Sequence, residues 1–230
     1  MLKAPRTSRR QQLREDQLAT AAAASMGFFE EHRNLVIGAG VVIVVIVAGA
    51  LLFNFMNTRK NQAAAEELGS ILTAYEMGRF EEALDGNAEN RGLVEIAGDY
   101  GSTKTGTLAI FYTAEAYYQL GQYDRALEYY ERYDVGNDIL GASALAGRAA
   151  VHEQQDNPSE AADLYLQAAD AYDSPATTPD YLLSAARNFK AAGDMTSAEQ
   201  AYQRYLDDFG DLPNAGLVEA MMAQVEAGGN

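Results

Sequence analysis

The chain has 230 residues, of which 48% are hydrophobic, and its formal net charge at pH 7 is −16. It contains no cysteine, which excludes a disulfide framework, a thiolate nucleophile and a cysteine-based metal site. Residues 61–230 carry nine basic and twenty-nine acidic side chains, and a surface this acidic repels the phosphates of nucleic acids. Proline is scarce, while alanine, leucine, glutamate and glutamine are common, so the composition predicts an all-α fold.

An uncharged apolar run interrupts the polar chain at residues 35–55. At a rise of about 1.5 Å per residue it spans roughly 30 Å, the thickness of a membrane's hydrocarbon core. A cleaved signal peptide would be cut near Ala50, but the apolar run continues past that point and a long segment precedes it. We therefore predict a single transmembrane helix over 35–55, followed by a juxtamembrane helix or linker over 56–63.

Basic residues are more numerous before the apolar run than directly after it. Residues 1–34 carry six Lys/Arg and four Asp/Glu, whereas only Arg59 and Lys60 follow the run closely. Basic flanks of a membrane helix stay in the cytoplasm. We therefore expect the basic tail 1–34, with a helix within 14–34, to be cytoplasmic and the large carboxyl-terminal domain to lie on the other side.

A repeated spacing fills residues 64–213. The pattern Ala-x-x-x-Tyr occurs three times, with intervals of 35 and 37 residues between its alanines, and a weaker copy at Ala83 has Asn87 in place of the tyrosine. Each full copy has a turn residue five positions before the alanine, Asp156 in the middle copy, and another alanine twelve positions before it. The residues predicted to pack or turn the repeats are Ala114, Gly121, Tyr123, Ala126, Tyr130, Ala149, Ala161, Tyr165, Ala186, Gly193, Ala198 and Tyr202.

These features are those of paired helices. Glycine or aspartate turns the chain between two helices at little steric cost, and alanines let the helices approach closely. One pair cannot cover its own apolar face, so pairs stack into a solenoid. The pattern resembles the tetratricopeptide repeat over about residues 64–212, which implies about four helix pairs and, over 214–230, a carboxyl-terminal helix and tail. The chain departs from that family in having no tryptophan.

The sequence offers no convincing catalytic motif. The segment "GDYGSTKTG" (98–106) approaches a phosphate-binding loop, but Thr103 replaces its second glycine and no strand is predicted before it, so we expect the start of a helix. His152 lies where the repeat places a core residue, and residues 134–141 lack the spacing of a calcium loop. We predict no catalytic, cofactor-binding or metal-binding residues.

The first helix of each repeat pair is expected to line a concave wall. The wall is predicted to be aromatic and apolar in its first half and basic in the last copy, which suits extended or partly unfolded segments of other proteins. The alternative is that neighbouring repeats, or the insertion at 84–106, cover these side chains. Leu68, Ala146, Ala150, Glu153 and Leu183 belong to this wall, and the residues predicted to contact a partner are Leu72, Tyr75, Phe111, Glu115, Tyr118, Arg187 and Lys190.

The order of the segments resembles the small single-span bacterial proteins that are ancillary subunits of the Sec translocon. The segments "REDQLATAAAASMGFFEEHRN" (14–34) and "NRGLVEIAGDYGSTKTGTLAIFYTAEAYYQLGQYDRALEYYERYD" (90–134) carry the resemblance. It implies a protein of the bacterial inner membrane with its repeats in the periplasm. Its expected partners are the translocon, periplasmic folding factors including a membrane-anchored prolyl isomerase, and nascent exported chains, with no cofactor, small-molecule substrate or nucleic acid.

A second interpretation remains open. The same architecture would serve as a structural subunit of an envelope complex, in division or outer-membrane assembly, that binds one folded partner. The residues leave undecided which protein is bound, the oligomeric state, and whether the acidity reflects a partner or a high-salt habitat.

Overall fold

The computed structural model describes residues 32–133, 136 and 138–228. In these residues the chain is α-helical without a β-strand, which confirms the predicted fold class. Residues 1–31, which include the predicted tail and most of its predicted helix within 14–34, lie outside the described residues. The helices are α1 (Arg33–Glu76), α2 (Phe80–Asp85), α3 (Leu93–Tyr100), α4 (Lys104–Gln119), α5 (Tyr123–Arg132), α6 (Ile139–Gln154), α7 (Pro158–Ala171), α8 (Thr178–Ala192), α9 (Met195–Phe209) and α10 (Ala215–Gly228).

The chain divides into two compact units, residues 1–57 and 58–230. In the first, the described residues belong almost entirely to α1, and the predicted span 35–55 lies within this helix. Its most apolar stretch has a mean hydropathy of 3.0 and is not buried, so α1 is long and apolar enough to cross a membrane, judged by length and composition. The helix is unbroken through 56–63, because nothing in that polar stretch stops a helix.

The second unit is a series of helix pairs. From α2 to α10, each helix packs against the next one along the chain. The carboxyl-terminal part of α1 shares the first core cluster with α2, and these two helices form the first pair. Three further pairs follow, α4 with α5, α6 with α7, and α8 with α9, and α10 packs on α9. Two clusters of buried side chains form the core, one around the first two pairs and one around the last two.

The turns within the pairs use left-handed backbone conformations. The predicted turn residues Gly121 and Gly193 have φ of 70° and 83°, and the corresponding Gly78 of the weak first copy has φ of 72°. Asp156 takes the same region with φ of 56°, which a short polar side chain tolerates better than a bulky one. These turns reverse the chain within two or three residues and bring the two helices of a pair together.

The first repeat is incomplete, as its weak sequence match suggests. Its second helix, α2, has only six residues, and the insertion that follows forms α3. Arg91 of this insertion forms an ion pair of 2.8 Å with Glu67 of α1, and the Tyr100 hydroxyl donates to the same carboxylate at 2.9 Å. The insertion is therefore attached to the first helix of the first repeat by polar contacts as well as by its buried side chains.

The segment 98–106 begins a helix and forms no phosphate-binding loop. Its first three residues are the last turn of α3, and the Thr103 side chain caps α4 by accepting a hydrogen bond from the backbone N–H of Gly106 at 3.0 Å. Such a cap satisfies one of the unpaired N–H groups of the first turn. The side chain of Asp138 caps α6 in the same way by accepting from Gly141 at 2.8 Å, which gives part of 134–141 a structural role.

The marker tyrosines are among the largest core residues. Tyr130 and Tyr202 are 1% and 0% exposed, and the marker alanines of the repeats are fully buried. The ring of Tyr130 lies against Gly147 of α6, where a β-carbon would overlap its Cζ and Cε1 atoms. Because the ring is enclosed, it cannot move aside without disturbing its neighbours, so a side chain at residue 147 would overpack the core.

We expect Gly147→Ala to lower the free energy of unfolding by about 1–3 kcal/mol, the usual cost of overpacking a core. The matched control is Gly69→Ala, since Gly69 is an exposed helical glycine of α1 with no atom within 4 Å of the added β-carbon. That control should stabilise the protein by about 0.5–1 kcal/mol through helix propensity. Urea titration of the detergent-solubilised protein measures both, and equal effects of the two substitutions would contradict the Tyr130 contact.

Candidate functional site on the first helices of the repeats

We call the surface formed by Leu72, Tyr75, Phe111, Glu115, Tyr118, Glu153, Arg187 and Lys190 the A-helix face. These residues lie on α1, α4, α6 and α8, the first helices of the four pairs. Leu72, Tyr75, Phe111, Glu115 and Tyr118 are half-buried, and Glu153, Arg187 and Lys190 are exposed. The face is therefore partly open to solvent along its length.

One residue assigned to this wall from the sequence lies elsewhere. Leu68 is only 3% exposed, so it belongs to the core instead of the A-helix face. It shares the first core cluster with Leu93 and Ile96 of the insertion helix α3. Coverage by neighbouring elements, one of the two possibilities that the sequence left open, therefore applies to Leu68, whereas Leu72 and Tyr75 stay partly exposed.

Aromatic rings form the first half of the face. Tyr75 packs edge to face against Phe80 and Tyr112, with ring centroids 5.5 Å and 5.0 Å away. Phe111 packs in the same way against Tyr130 and Tyr133 at 6.2 Å and 5.9 Å, and contacts of this kind add about 0.5–1.5 kcal/mol each to simple burial. The rings are held by their neighbours, so this half of the face is preformed.

Two carboxylates connect the marker tyrosines to the face. The Tyr130 hydroxyl donates to Glu115 Oε1 at 2.5 Å, and the Tyr165 hydroxyl donates to Glu153 Oε2 at 3.1 Å. Both tyrosines are buried, so their rings reach from the second helix of a pair through the core to the A-helix face. Neither carboxylate forms an ion pair within the described part of the chain.

Electrostatic interactions act between the repeats along this face. Burial raises the pKa of the Tyr118 hydroxyl, and Tyr123, Glu153 and Glu115 raise it further. Burial likewise raises the pKa of Tyr165, with Glu153 adding to the effect and Arg187 opposing it. The charges of Glu115, Glu153 and Arg187 therefore act on tyrosines of neighbouring repeats along the A-helix face.

The predicted packing residues occupy the interior and the turns. Ala114, Ala126, Ala149, Ala161, Ala186 and Ala198 are fully buried, and Tyr165 is 8% exposed. Tyr123 is half-buried, with its ring centroid 5.6 Å from that of Tyr118. The repeat pattern predicts the marker tyrosines as packing residues, but it does not predict the partners of their hydroxyl groups. The available signal was their spacing, with Glu115 15 residues before Tyr130 and Glu153 12 residues before Tyr165.

A groove of about 510 Å³ lies where the third and fourth repeats meet. Glu153, Asp156 and Pro158 line one side of it, and Arg187, Asn188 and Ala191 of α8 line the other. The guanidinium of Arg187 is not within ion-pair distance of either carboxylate. No group of three or more His, Asp or Glu side chains able to hold a metal ion occurs among the described residues.

The comparisons with known proteins identify the repeats. A tetratricopeptide-repeat family model matches residues 108–133 and 180–211, most of the α4–α5 and α8–α9 pairs. Two crystal structures of a Podosopora anserina protein, described as a kinesin light chain with nearly identical TPR-like repeats, are similar at 14% identity and a TM-score of 0.55. They cover 72% of this chain and 86% and 85% of their own. BtubC (BKLC) from P. vanneervenii gives a TM-score of 0.52 at 14% identity, covering 75% and 85%.

A search of curated proteins finds no match to this sequence. At 14% identity, the solved structures show the fold alone. Together with the family model, they establish that the chain carries tetratricopeptide repeats in a helical solenoid. Solenoids of this kind form protein–protein interaction scaffolds, because their first helices make an extended binding surface, and none of these matches indicates an enzyme family.

The raised tyrosine pKa values predict a loss of stability at alkaline pH. Burial, followed by Glu115 and Tyr112, raises the pKa of Tyr75 to about 12, whereas an unfolded tyrosine titrates near 10. Above pH 10 the unfolded chain ionises first, so the free energy of unfolding should fall as the pH rises from about 10 towards 12.

Tyr75→Phe should flatten this decline, because the variant lacks one of the groups that cause it. The control is Tyr172→Phe at a position that is 39% exposed, and it should leave the slope unchanged. Urea titrations at a series of pH values measure the slopes. A decline of the same slope in wild type and Tyr75→Phe would show that Tyr75 is not in the environment described.

Proposed function

We propose that this protein is a membrane-anchored scaffold that binds extended segments of other proteins on its A-helix face. The observation that carries the proposal is a partly open face of fixed aromatic rings and charged side chains on a solenoid of helix pairs. Aromatic side chains give large contact area with little loss of conformational freedom, and they are enriched in protein interfaces. The apolar part of α1 supplies the anchor, since it has the length and composition of a membrane span.

We further propose that the partners are exported proteins and the machinery that delivers them. This role rests on the resemblance of the segment order to the ancillary subunits of the Sec translocon. The excess of basic residues before the apolar run supports an orientation with the solenoid on the non-cytoplasmic side. In a bacterium this places the repeats in the periplasm, where newly exported chains emerge unfolded and expose extended segments.

The orientation can be tested by cysteine labelling, because the chain has no cysteine of its own. We expect a membrane-impermeant maleimide to label Asp211→Cys, at an exposed position after α9, in intact spheroplasts. Thr7→Cys, in the basic tail, should be labelled only after the membrane is ruptured. The reverse pattern would place the solenoid in the cytoplasm and would exclude a role in handling exported chains.

The binding role can be tested by photocrosslinking from the A-helix face in living cells. A photoreactive amino acid in place of Tyr118 should crosslink to translocon subunits and to many different newly exported chains. The same amino acid in place of Tyr172, which is exposed but outside the face, is the matched control and should not. Crosslinks from Tyr118 to a single folded protein would instead support a structural subunit of an envelope complex. Equal crosslinking from both positions would contradict binding by this face.

A further inference from the structure

The fourth repeat breaks a pattern that the second and third repeats follow. In those two, the marker tyrosine donates its hydroxyl to a carboxylate located 15 or 12 residues earlier, Glu115 or Glu153. The residues 15 and 12 positions before Tyr202 are Arg187 and Lys190. Both are cations, and neither a guanidinium nor an ammonium group can accept a hydrogen bond. The repeat therefore lacks the acceptor that its tyrosine has elsewhere.

The hydroxyl of Tyr202 shows the consequence. Tyr202 is 0% exposed, and its hydroxyl finds no hydrogen-bond partner among the described residues. A buried polar group without a partner costs free energy and is uncommon in folded proteins. Tyr202 has the repeat register of Tyr130 and Tyr165, whose hydroxyls reach the A-helix face. Burial raises the pKa of the Tyr202 hydroxyl, and the charge of Arg187 opposes that shift. The unpaired donor thus lies below the cationic part of the A-helix face.

The cations above Tyr202 are also without an anionic partner. Arg187 and Lys190 are exposed, and neither forms an ion pair within the described residues. Among the residues that the structure describes, the side chain of Arg187 forms one hydrogen bond, from Nη2 to the Ser184 hydroxyl at 3.1 Å. This single contact leaves the guanidinium free to move aside and to contact a group entering from the groove of about 510 Å³ that it lines.

We propose that the fourth repeat binds the side chain of an aspartate or glutamate from an extended segment of another protein. The partner carboxylate accepts a hydrogen bond from the Tyr202 hydroxyl and pairs with Arg187 and Lys190, so it supplies the acceptor that this repeat lacks. Such charge-assisted bonds are among the stronger polar contacts in proteins. The proposal rests on the proposed function only in requiring that a protein segment lies on the A-helix face.

The opposite side of the groove restricts where this carboxylate can lie. Glu153 and Asp156 line the wall nearer the third repeat and repel a second acidic group there. An acidic residue is therefore favoured only on the α8 side, next to the two cations. The surface selects a segment with an isolated acidic residue at this point, and it disfavours a polyacidic run.

The test uses the full-length protein in lipid nanodiscs and a displayed library of random twelve-residue peptides. We expect the selected peptides to share an Asp or Glu, and its replacement by Asn or Gln in the synthetic peptide should weaken binding about tenfold. Arg187→Gln should remove the preference for an acidic residue. Peptides that need Tyr118 but no acidic residue would overturn this proposal and leave the proposed function standing. Failure of any peptide to bind would overturn both.

Tyr202→Phe separates a binding role from a structural one. Without peptide, it should leave the melting temperature unchanged or raise it, because it removes an unpaired buried hydroxyl. It should also weaken the binding of the selected peptides about fivefold. The matched control is Tyr165→Phe, which should lower the melting temperature because it removes the hydrogen bond to Glu153. A lower melting temperature for Tyr202→Phe with unchanged peptide affinity would overturn the proposal.

A second copy of the chain is the other source of an acidic side chain. Sedimentation of the nanodisc-free protein in detergent distinguishes it, because a dimer that Arg187→Gln dissociates would show that the site is filled by the protein itself. That result would also overturn the proposal of a different protein partner. We expect the wild type and Arg187→Gln to sediment alike as monomers. We also expect the peptides selected from the library to contain an acidic residue.

Discussion

The ring of Tyr130 fills the space beside Gly147 so completely that no β-carbon fits there. This contact of a large ring on a second helix with a small residue on the next first helix sets how closely the second and third pairs approach each other. Tyr165 and Tyr202 occupy the same register in the later pairs, among alanines that are fully buried. Between the second and third pairs the ring and the small residue must match in volume, so the stacking of these two pairs depends on a few side chains.

The same rings link the core to the surface. A tyrosine that packs by its ring carries a hydroxyl at its far end, and a buried hydroxyl needs a partner. In the second and third repeats the partner is a carboxylate of the A-helix face, Glu115 or Glu153. Packing and surface charge are therefore coupled, because the position of the ring decides where an acceptor is required. In the fourth repeat the acceptor positions carry cations, which makes that repeat chemically different from the others.

The A-helix face changes its character along the solenoid. Aromatic rings dominate the part from Tyr75 to Tyr118, carboxylates follow at the second and third repeats, and cations end it at the fourth. An extended segment that lies along this face meets each of these environments in turn, so both its composition and its direction matter. The aromatic half suits a protein–protein interaction scaffold, since rings accept varied side chains. The charged half adds selectivity, because a misplaced charge is repelled.

Much of this architecture could be predicted from the sequence, because periodicity and turn chemistry are local. The alanine–tyrosine spacing and the residues Gly121, Asp156 and Gly193 fixed the helix pairs, and the uncharged run 35–55 gave a helix with the composition of a membrane span. Only the tertiary structure placed Leu68 in the core, Gly147 against Tyr130, and the hydroxyl of Tyr202 without an acceptor. Each of these depends on which side chains from distant parts of the chain meet. Sequence spacing determines the face on which a residue lies, but only the packed structure decides what covers that face.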